Sequence, residues 1–191
     1  MIRIDGKNGR RMPWKNGGGA TVEIAVFPVG AGLDDFEWRV SMAEVETPGP
    51  FSVFPGIDRA IAILEGTLRL DIAGRDPITL RPGDAPLSFG ADLPTIGTPV
   101  GGAVRDLNVM TRRGAWRSAV TRHAGPACQE VEARGAASLI MALRDCRLAD
   151  PSGAWDLPAG TAACFENEGP RRLSVTAAGA IEIFLIDLLR A

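Results

Sequence analysis

The chain holds 191 residues, 46% of them hydrophobic and 23% charged, with a formal net charge of −2. That length and composition suit one ordinary domain or two small ones, and they exclude general disorder and a long coiled coil. The near balance of 21 basic and 23 acidic residues gives no broad positive field, so no nucleic-acid partner is expected.

Twenty-three glycines and fourteen prolines punctuate the chain and favour short strands over long helices. Residues 21–27, TVEIAVF, alternate in the manner of a strand. Residues 28–35 form a turn region. Residues 36–45, FEWRVSMAEV, then place Trp38, Val40 and Met42 on one face and Glu37, Arg39, Ser41 and Ala43 on the other. The pair predicts an antiparallel hairpin. Residues 59–64 are a nearly unbroken apolar run, as expected of a strand buried on both faces. After a turn at 65–67, Leu68, Leu70 and Ile72 alternate with Arg69 and Asp71. Residues 78–80 and 87–89 are short strands flanking an Arg81-Pro82-Gly83-Asp84 corner, and 104–112, VRDLNVMTR, alternate again.

After Arg113-Gly114 the rhythm restarts, with strand candidates at 138–143, 146–148, 155–157, 162–165, 173–176 and 180–188. Pro158-Ala159-Gly160-Thr161 stands where the Arg81–Asp84 corner stood, so the second half is a weak repeat of the first. Residues 129–134 are the one stretch expected to hold a helix, and the last strand is expected to finish in a short helical end. The fold class is all-β, with the short strands and glycine–proline corners of antiparallel barrels and jelly rolls.

Cys128, Cys146 and Cys164 are widely spaced without a CxxC pair. They fit reduced thiols rather than a zinc knuckle or redox motif. The opening residues lack an apolar core of signal-peptide length. The stretch near 181–189 is broken by Glu182 and Asp187 and is too short for a bilayer. A cytoplasmic setting with no membrane partner is the expectation.

Four stretches carry more than rhythm: PWKNGGG at 13–19 with Thr21 and Glu23; WRVS at 38–41 with Ala43; GPFSVFPGIDR at 49–59; and DLNVM at 106–110 followed by Arg112-Arg113-Gly114. In this order and spacing they resemble the HutD/Ves family of bacterial cupin proteins. The first half matches well and the second by general pattern only. The resemblance implies a bicupin, two small antiparallel β-barrels of jelly-roll type, divided as 1–114 and 115–191. It also implies an association with histidine utilisation, in an accessory or regulatory role rather than as a catalyst.

Metal-binding cupins carry a His-x-His pair, a Glu soon after and a later His. Counting by the family spacing from Gly56 puts the pair at Ala62 and Leu64 and the later position near Pro86. The single histidine, His123, is read as a surface residue. Transition-metal sites in barrels use several imidazoles, so no metal and no cofactor is expected. Tyr is absent, and there is no G-x-S-x-G elbow. An enzyme of this sequence would be a cofactor-free isomerase or hydrolase with Glu23 or Glu65 as base. A third possibility is a protein-interaction module with a large exposed apolar patch.

The positive signal is polar. Arg39 and Ser41 share one strand face, as do Asn108, Met110 and Arg112. Turned into one hollow, the two guanidiniums would clamp a carboxylate, while Ser41 and Asn108 would fix a neutral amide or formyl oxygen. The intermediates of histidine breakdown are carboxylates, so the expected partner is a small carboxylate metabolite. The rival arrangement pairs Arg39 and Arg112 with Glu37, Asp58 or Asp106 at a rim. The triple glycine suits a loop closing over a ligand, with Trp14 as an apolar lid and Asn16 as an orienting group. Phe51 and Phe54 read as core anchors. Ser52 and Arg59 complete the candidate set. Arg59 is out of phase with Ala62 and Leu64, so either a bulge resets the register or it serves the seam between the halves. Sheet edges also make a homodimer plausible.

Overall fold

The computed structural model describes residues 2–5, 10–14, 18–167 and 169–191. Every regular element among them is a strand. In chain order these are β1 (Ile2–Asp5), β2 (Arg10–Pro13), β3 (Gly19–Phe27), β4 (Trp38–Val45), β5 (Gly49–Pro50), β6 (Ile57–Glu65), β7 (Leu68–Ile72), β8 (Ile78–Leu80), β9 (Leu87–Gly90) and β10 (Thr95–Pro99). There follow β11 (Val104–Arg112), β12 (Trp116–Gly125), β13 (Cys128–Ala133), β14 (Ala137–Ala142), β15 (Cys146–Asp150), β16 (Gly153–Leu157), β17 (Thr161–Glu166), β18 (Arg171–Thr176) and β19 (Ile181–Arg190). No helix among the described residues is long and apolar enough to cross a membrane.

Two expectations of helix are overturned. Residues 128–133 form β13, which pairs along its whole length with β18. Gln129, Glu130 and Glu132 are good helix formers, but alternate residues Val131 and Ala133 are buried in a sheet core, and that pairing outweighs local propensity. β19 remains extended to Arg190, held against β14 as far as Leu188.

The chain forms two compact units, Arg10–Arg117 and Met1–Gly9 with Ser118–Ala191. The first strand joins the second unit because β1 pairs antiparallel with β17, Ile2 opposite Cys164 and Asp5 opposite Thr161.

In the unit Arg10–Arg117, a six-stranded sheet of order β2-β3-β4-β11-β6-β9 accompanies a four-stranded sheet of order β5-β10-β7-β8. Ile61 and Ile63 from the larger sheet pack with Leu68, Leu70 and Ile72 from the smaller one. Burying each such side chain contributes about 1.5–3 kcal/mol relative to exposure. The β6–β7 turn requires Gly66, whose φ is 82°. A Cβ there would stand 2.6 Å from the Ala103 carbonyl oxygen.

The other unit repeats the layout, with sheet orders β1-β17-β14-β19-β12 and β13-β18-β15-β16. Its core includes Ile140, Leu148, Phe165, Val175 and Ile183. Buried Asp187 accepts from the Arg134 and Gly135 backbone N–H groups and from the Ser138 hydroxyl, which fixes the turn between β13 and β14.

In neither unit do the sheets join into a closed hydrogen-bonded barrel among the described residues. The expected small barrels are open pairs of sheets instead. Pro13, Pro50 and Pro99, within β2, β5 and β10, each lack the N–H that ladder continuation needs.

Candidate functional site

Within the unit Arg10–Arg117 the six-stranded sheet carries a row of polar residues facing a cavity of about 570 Å³. Strand register makes the row. On β11, Met110 lies between Arg39 of β4 and Arg59 of β6, and Asn108 lies between Ser41 and Ile61. Asp106 follows, opposite Ala43. Side chains two apart share a face, so Asp106, Asn108 and Met110 all point to the same side. Trp14 and Thr21 wall one side of the cavity, and Phe51, Ser52 and Phe54 wall another.

Six of the eight residues expected from sequence line this cavity: Trp14, Arg39, Ser41, Ser52, Arg59 and Asn108. Asn16 lies outside the described residues. Arg112 is not among the lining residues. Its guanidinium donates to the Phe36 carbonyl at 2.8 and 3.2 Å and to the Asp34 carbonyl at 3.4 Å. The alternation places it correctly, but it is the last residue of β11 and turns to the preceding loop. The expected convergence of Arg39 with Arg112 is replaced by that of Arg39 with Arg59.

Arg39 is a neutralised cation. Its Nε donates to Glu23 Oε2 at 2.7 Å, and the arginine side chain is only 6% exposed. The partner expected at a rim, among Glu37, Asp58 and Asp106, is in fact Glu23 from the neighbouring strand. The regular β3–β4 register sets Glu23 opposite Ser41, two residues from Arg39 on the same face, and a β-bulge follows between Glu23 and Ala25. Glu23 is therefore occupied, and Glu65, the other base candidate, pairs with Arg105 at the exposed end of β6.

Arg59 differs. It is 6% exposed. Among the described residues its side chain makes one hydrogen bond, a long one of 3.4 Å to the Ser52 carbonyl, and its Nε has no partner. The guanidinium instead lies against the rings of Phe51, Phe54 and Phe89 at 5.1, 5.9 and 5.8 Å. Such cation–ring contacts return about 0.5–2 kcal/mol each, well short of the cost of desolvating a guanidinium. Burial pulls its pKa down to about 10, against the attraction of Asp106 and with added repulsion from Arg39. It remains a cation at neutral pH. No bulge was needed to bring it here: the inward face of β6 is Arg59, Ile61 and Ile63, and not the Ala62 and Leu64 face expected from the spacing count.

Asp106 was expected from sequence only as a possible rim partner of Arg39 or Arg112 and not as a site residue, although it stands two residues before Asn108 on the same strand. It is fully buried. Asn108 Nδ2 donates to its Oδ1, while its Oδ2 and the Asn108 Oδ1 have no partner. Burial pushes its pKa up to about 7, opposed first by Arg59 and then by the hydrogen bonds from Asn108 and the Ala43 backbone. Trp14 is tied by its ring N–H, which donates to the Thr21 hydroxyl at 2.8 Å across the β2–β3 hairpin. His123 lies half-buried in β12, with its pKa lowered by burial. Among the described residues no three His, Cys, Asp or Glu side chains are grouped to hold a metal ion.

The arrangement offers one buried cationic fork without a carboxylate partner, aromatic walls, and polar groups with unused hydrogen-bonding capacity. It suits a small anion with an apolar body.

The sequence profile of the HutD family matches residues 6–184. Over 101 residues the chain is 45% identical to an uncharacterised 21.2 kDa protein from the hutC 3′ region of Pseudomonas putida. That match covers 52% of this chain and 52% of the relative, so the chain spans about half the length of that relative. Protein Ves of Citrobacter koseri is 35% identical over 153 residues, covering 78% of this chain and 73% of Ves. A conserved protein of unknown function from Pseudomonas aeruginosa PAO1 superposes with a TM-score of 0.91 at 29% identity, covering 98% of each chain. The formate-condition structure of HutD from Pseudomonas fluorescens SBW25 gives 0.84 at 26%, covering 100% of this chain and 98% of that one. A cupin 2 conserved barrel domain protein from Leptotrichia buccalis, at 0.62 and 12% identity over 98% of this chain and 96% of that one, shows a cupin-like fold.

Proposed function

Because the chain belongs to the HutD family, we propose that it binds a small carboxylate metabolite and serves histidine utilisation in an accessory or regulatory capacity, without a metal. Each unit is taken as one cupin half, so that the chain is a bicupin with its ligand site in the half that carries Arg59. The single observation behind the binding role is that buried guanidinium, which faces a cavity and has no carboxylate in contact among the described residues. A buried charge without a partner is costly, and a bound carboxylate would supply two charge-assisted hydrogen bonds.

Arg59 is the anchor in this account, in place of the Arg39–Arg112 pair. Arg39, held by Glu23, shapes the wall beside it. Ser41 and Asn108 lie one pair further along the same face, where they could receive a neutral polar end. Trp14 and the phenylalanines enclose the apolar body.

Calorimetric titration with urocanate and N-formylglutamate tests the assignment, on wild type and on Arg59→Met. One of these acids is expected to bind the wild type and to lose at least about tenfold in affinity in the variant, the usual effect of removing one charge-assisted contact. Heat that is absent with both acids, or equal in both proteins, would sink it. The same titration followed over time tests for catalysis: the acid should be recovered unchanged.

A further inference from the structure

We propose that the cavity takes up its anion together with a proton, and that the proton settles on Asp106. This rests on the proposed function in one respect, that a small carboxylate binds at Arg59.

The argument starts from what surrounds Asp106. It is fully buried on the cavity wall, and its Oδ2 has no hydrogen-bond partner. No ion pair within contact distance holds it among the described residues. The charged groups facing it are few. β6 supplies Arg59, β4 supplies Arg39, and β3 supplies Glu23, which is already joined to Arg39. β4 also brings the backbone of Ala43, and β11 itself brings Asn108. The 51–54 loop adds Ser52 and two phenylalanine rings. Of these, Arg59 is the chief influence favouring the ionised carboxylate, and burial is the chief influence against it.

A carboxylate docking on Arg59 alters both sides of that balance. It neutralises the cation that favours ionised Asp106, and it adds a second negative charge to the same desolvated space. Two carboxylates served by one cation cannot both stay ionised there at low cost. Asp106, poised near neutrality, is the group that yields. A proton from solvent goes to Oδ2, the oxygen now lacking a partner. The resulting O–H becomes a donor that can reach a ligand oxygen, while Oδ1 keeps its bond from Asn108. Charge in the cavity is then the same before and after binding: an anion and a proton have entered. The site thereby prefers acids carrying one negative charge where they meet Arg59, with an acceptor facing Asp106.

Formate is a suitable probe, since its own ionisation is complete throughout the neutral range. Its affinity, followed by tryptophan fluorescence, should be level below the pH at which free Asp106 titrates, near 7. Above that it should weaken by about tenfold per pH unit. Calorimetry of the wild type in phosphate and in Tris, at a pH of about 8, should show uptake approaching one proton per formate bound. Asp106→Asn, which keeps an N–H donor where the protonated acid has its O–H, should flatten the pH profile. Binding that is independent of pH, with no difference between the buffers, overturns the proton coupling and leaves the carboxylate site standing. A profile that stays steep in Asp106→Asn assigns the proton elsewhere and overturns it too. No saturable binding at any pH overturns both this and the proposed function. If the variant does not fold, the two-buffer measurement on the wild type decides alone.

Discussion

Arg59 and Asp106 set the character of the cavity, and both make the fold less stable than an apolar pair would. Arg59→Met keeps length and ring contacts while removing a buried charge. At pH 6, where Asp106 carries its proton, thermal unfolding should show the variant more stable by about 1 kcal/mol or more, even as carboxylate binding is lost. Asp106 makes a second prediction. Its folded pKa of about 7 lies above the ordinary 3.8, so between those values the folded chain holds more protons than the unfolded one. Stability from this group is therefore full below pH 3.8 and is lost as pH rises through about 7. Urea unfolding of Asp106→Asn should show no such loss, an advantage over wild type of up to about 4 kcal/mol at alkaline pH that closes in acid. Sequence went some way toward this site. Spacing by two located Arg39, Ser41 and Asn108 on cavity walls, and would have located Asp106 had the count been carried one step back from Asn108. The partners it offered Arg39 were Glu37, Asp58 and Asp106, and it missed Glu23, which faces Ser41 on the neighbouring strand. Nor could it show that Arg112, in phase with Asn108, ends its strand beside the Phe36 and Asp34 carbonyls.

Strands were legible where polar and apolar residues alternate, as in β3, β4, β7 and β11. They were less so where the pattern is continuous. The apolar run of β6 carries no phase of its own, so its inward face was placed on Ala62 and Leu64 rather than on Arg59, Ile61 and Ile63. Residues 128–133 failed for the opposite reason: polar helix formers occupy an edge strand whose identity comes from β18. One element offers a probe of the cavity that leaves Arg59 untouched. Gly97 in β10 lies under Phe51, and a Cβ there would stand 2.5 Å from Phe51 Cε1. Because the obstacle is the far end of a side chain, Gly97→Ala should shift unfolding by no more than about 1–3 kcal/mol, the usual range for mild overpacking. It should weaken carboxylate binding by moving the ring that walls Arg59.

For the molecule as a whole, the proposed carboxylate site belongs to one unit. The cavity lining lies wholly within Arg10–Arg117, while Ser118–Ala191 supplies a second pair of sheets around an apolar core. The inward face of β6 carries Arg59, Ile61 and Ile63 and no imidazole, and the one histidine is in β12. EDTA should accordingly leave both the thermal midpoint and the carboxylate affinity unchanged, and a fall in either would point to a bound ion.

The pairing of β1 with β17 has a bearing on biogenesis. Ile2–Asp5 are synthesised before Arg10–Arg117, yet their neighbours, Thr161–Cys164, are synthesised after it. The nascent chain must carry an unsatisfied strand past the whole of Arg10–Arg117, which is contiguous and free to fold during that wait. Closing so long a loop is slow. A chaperone that shields β1, or a bulky fusion placed beside it, should govern how much newly made protein reaches its finished form.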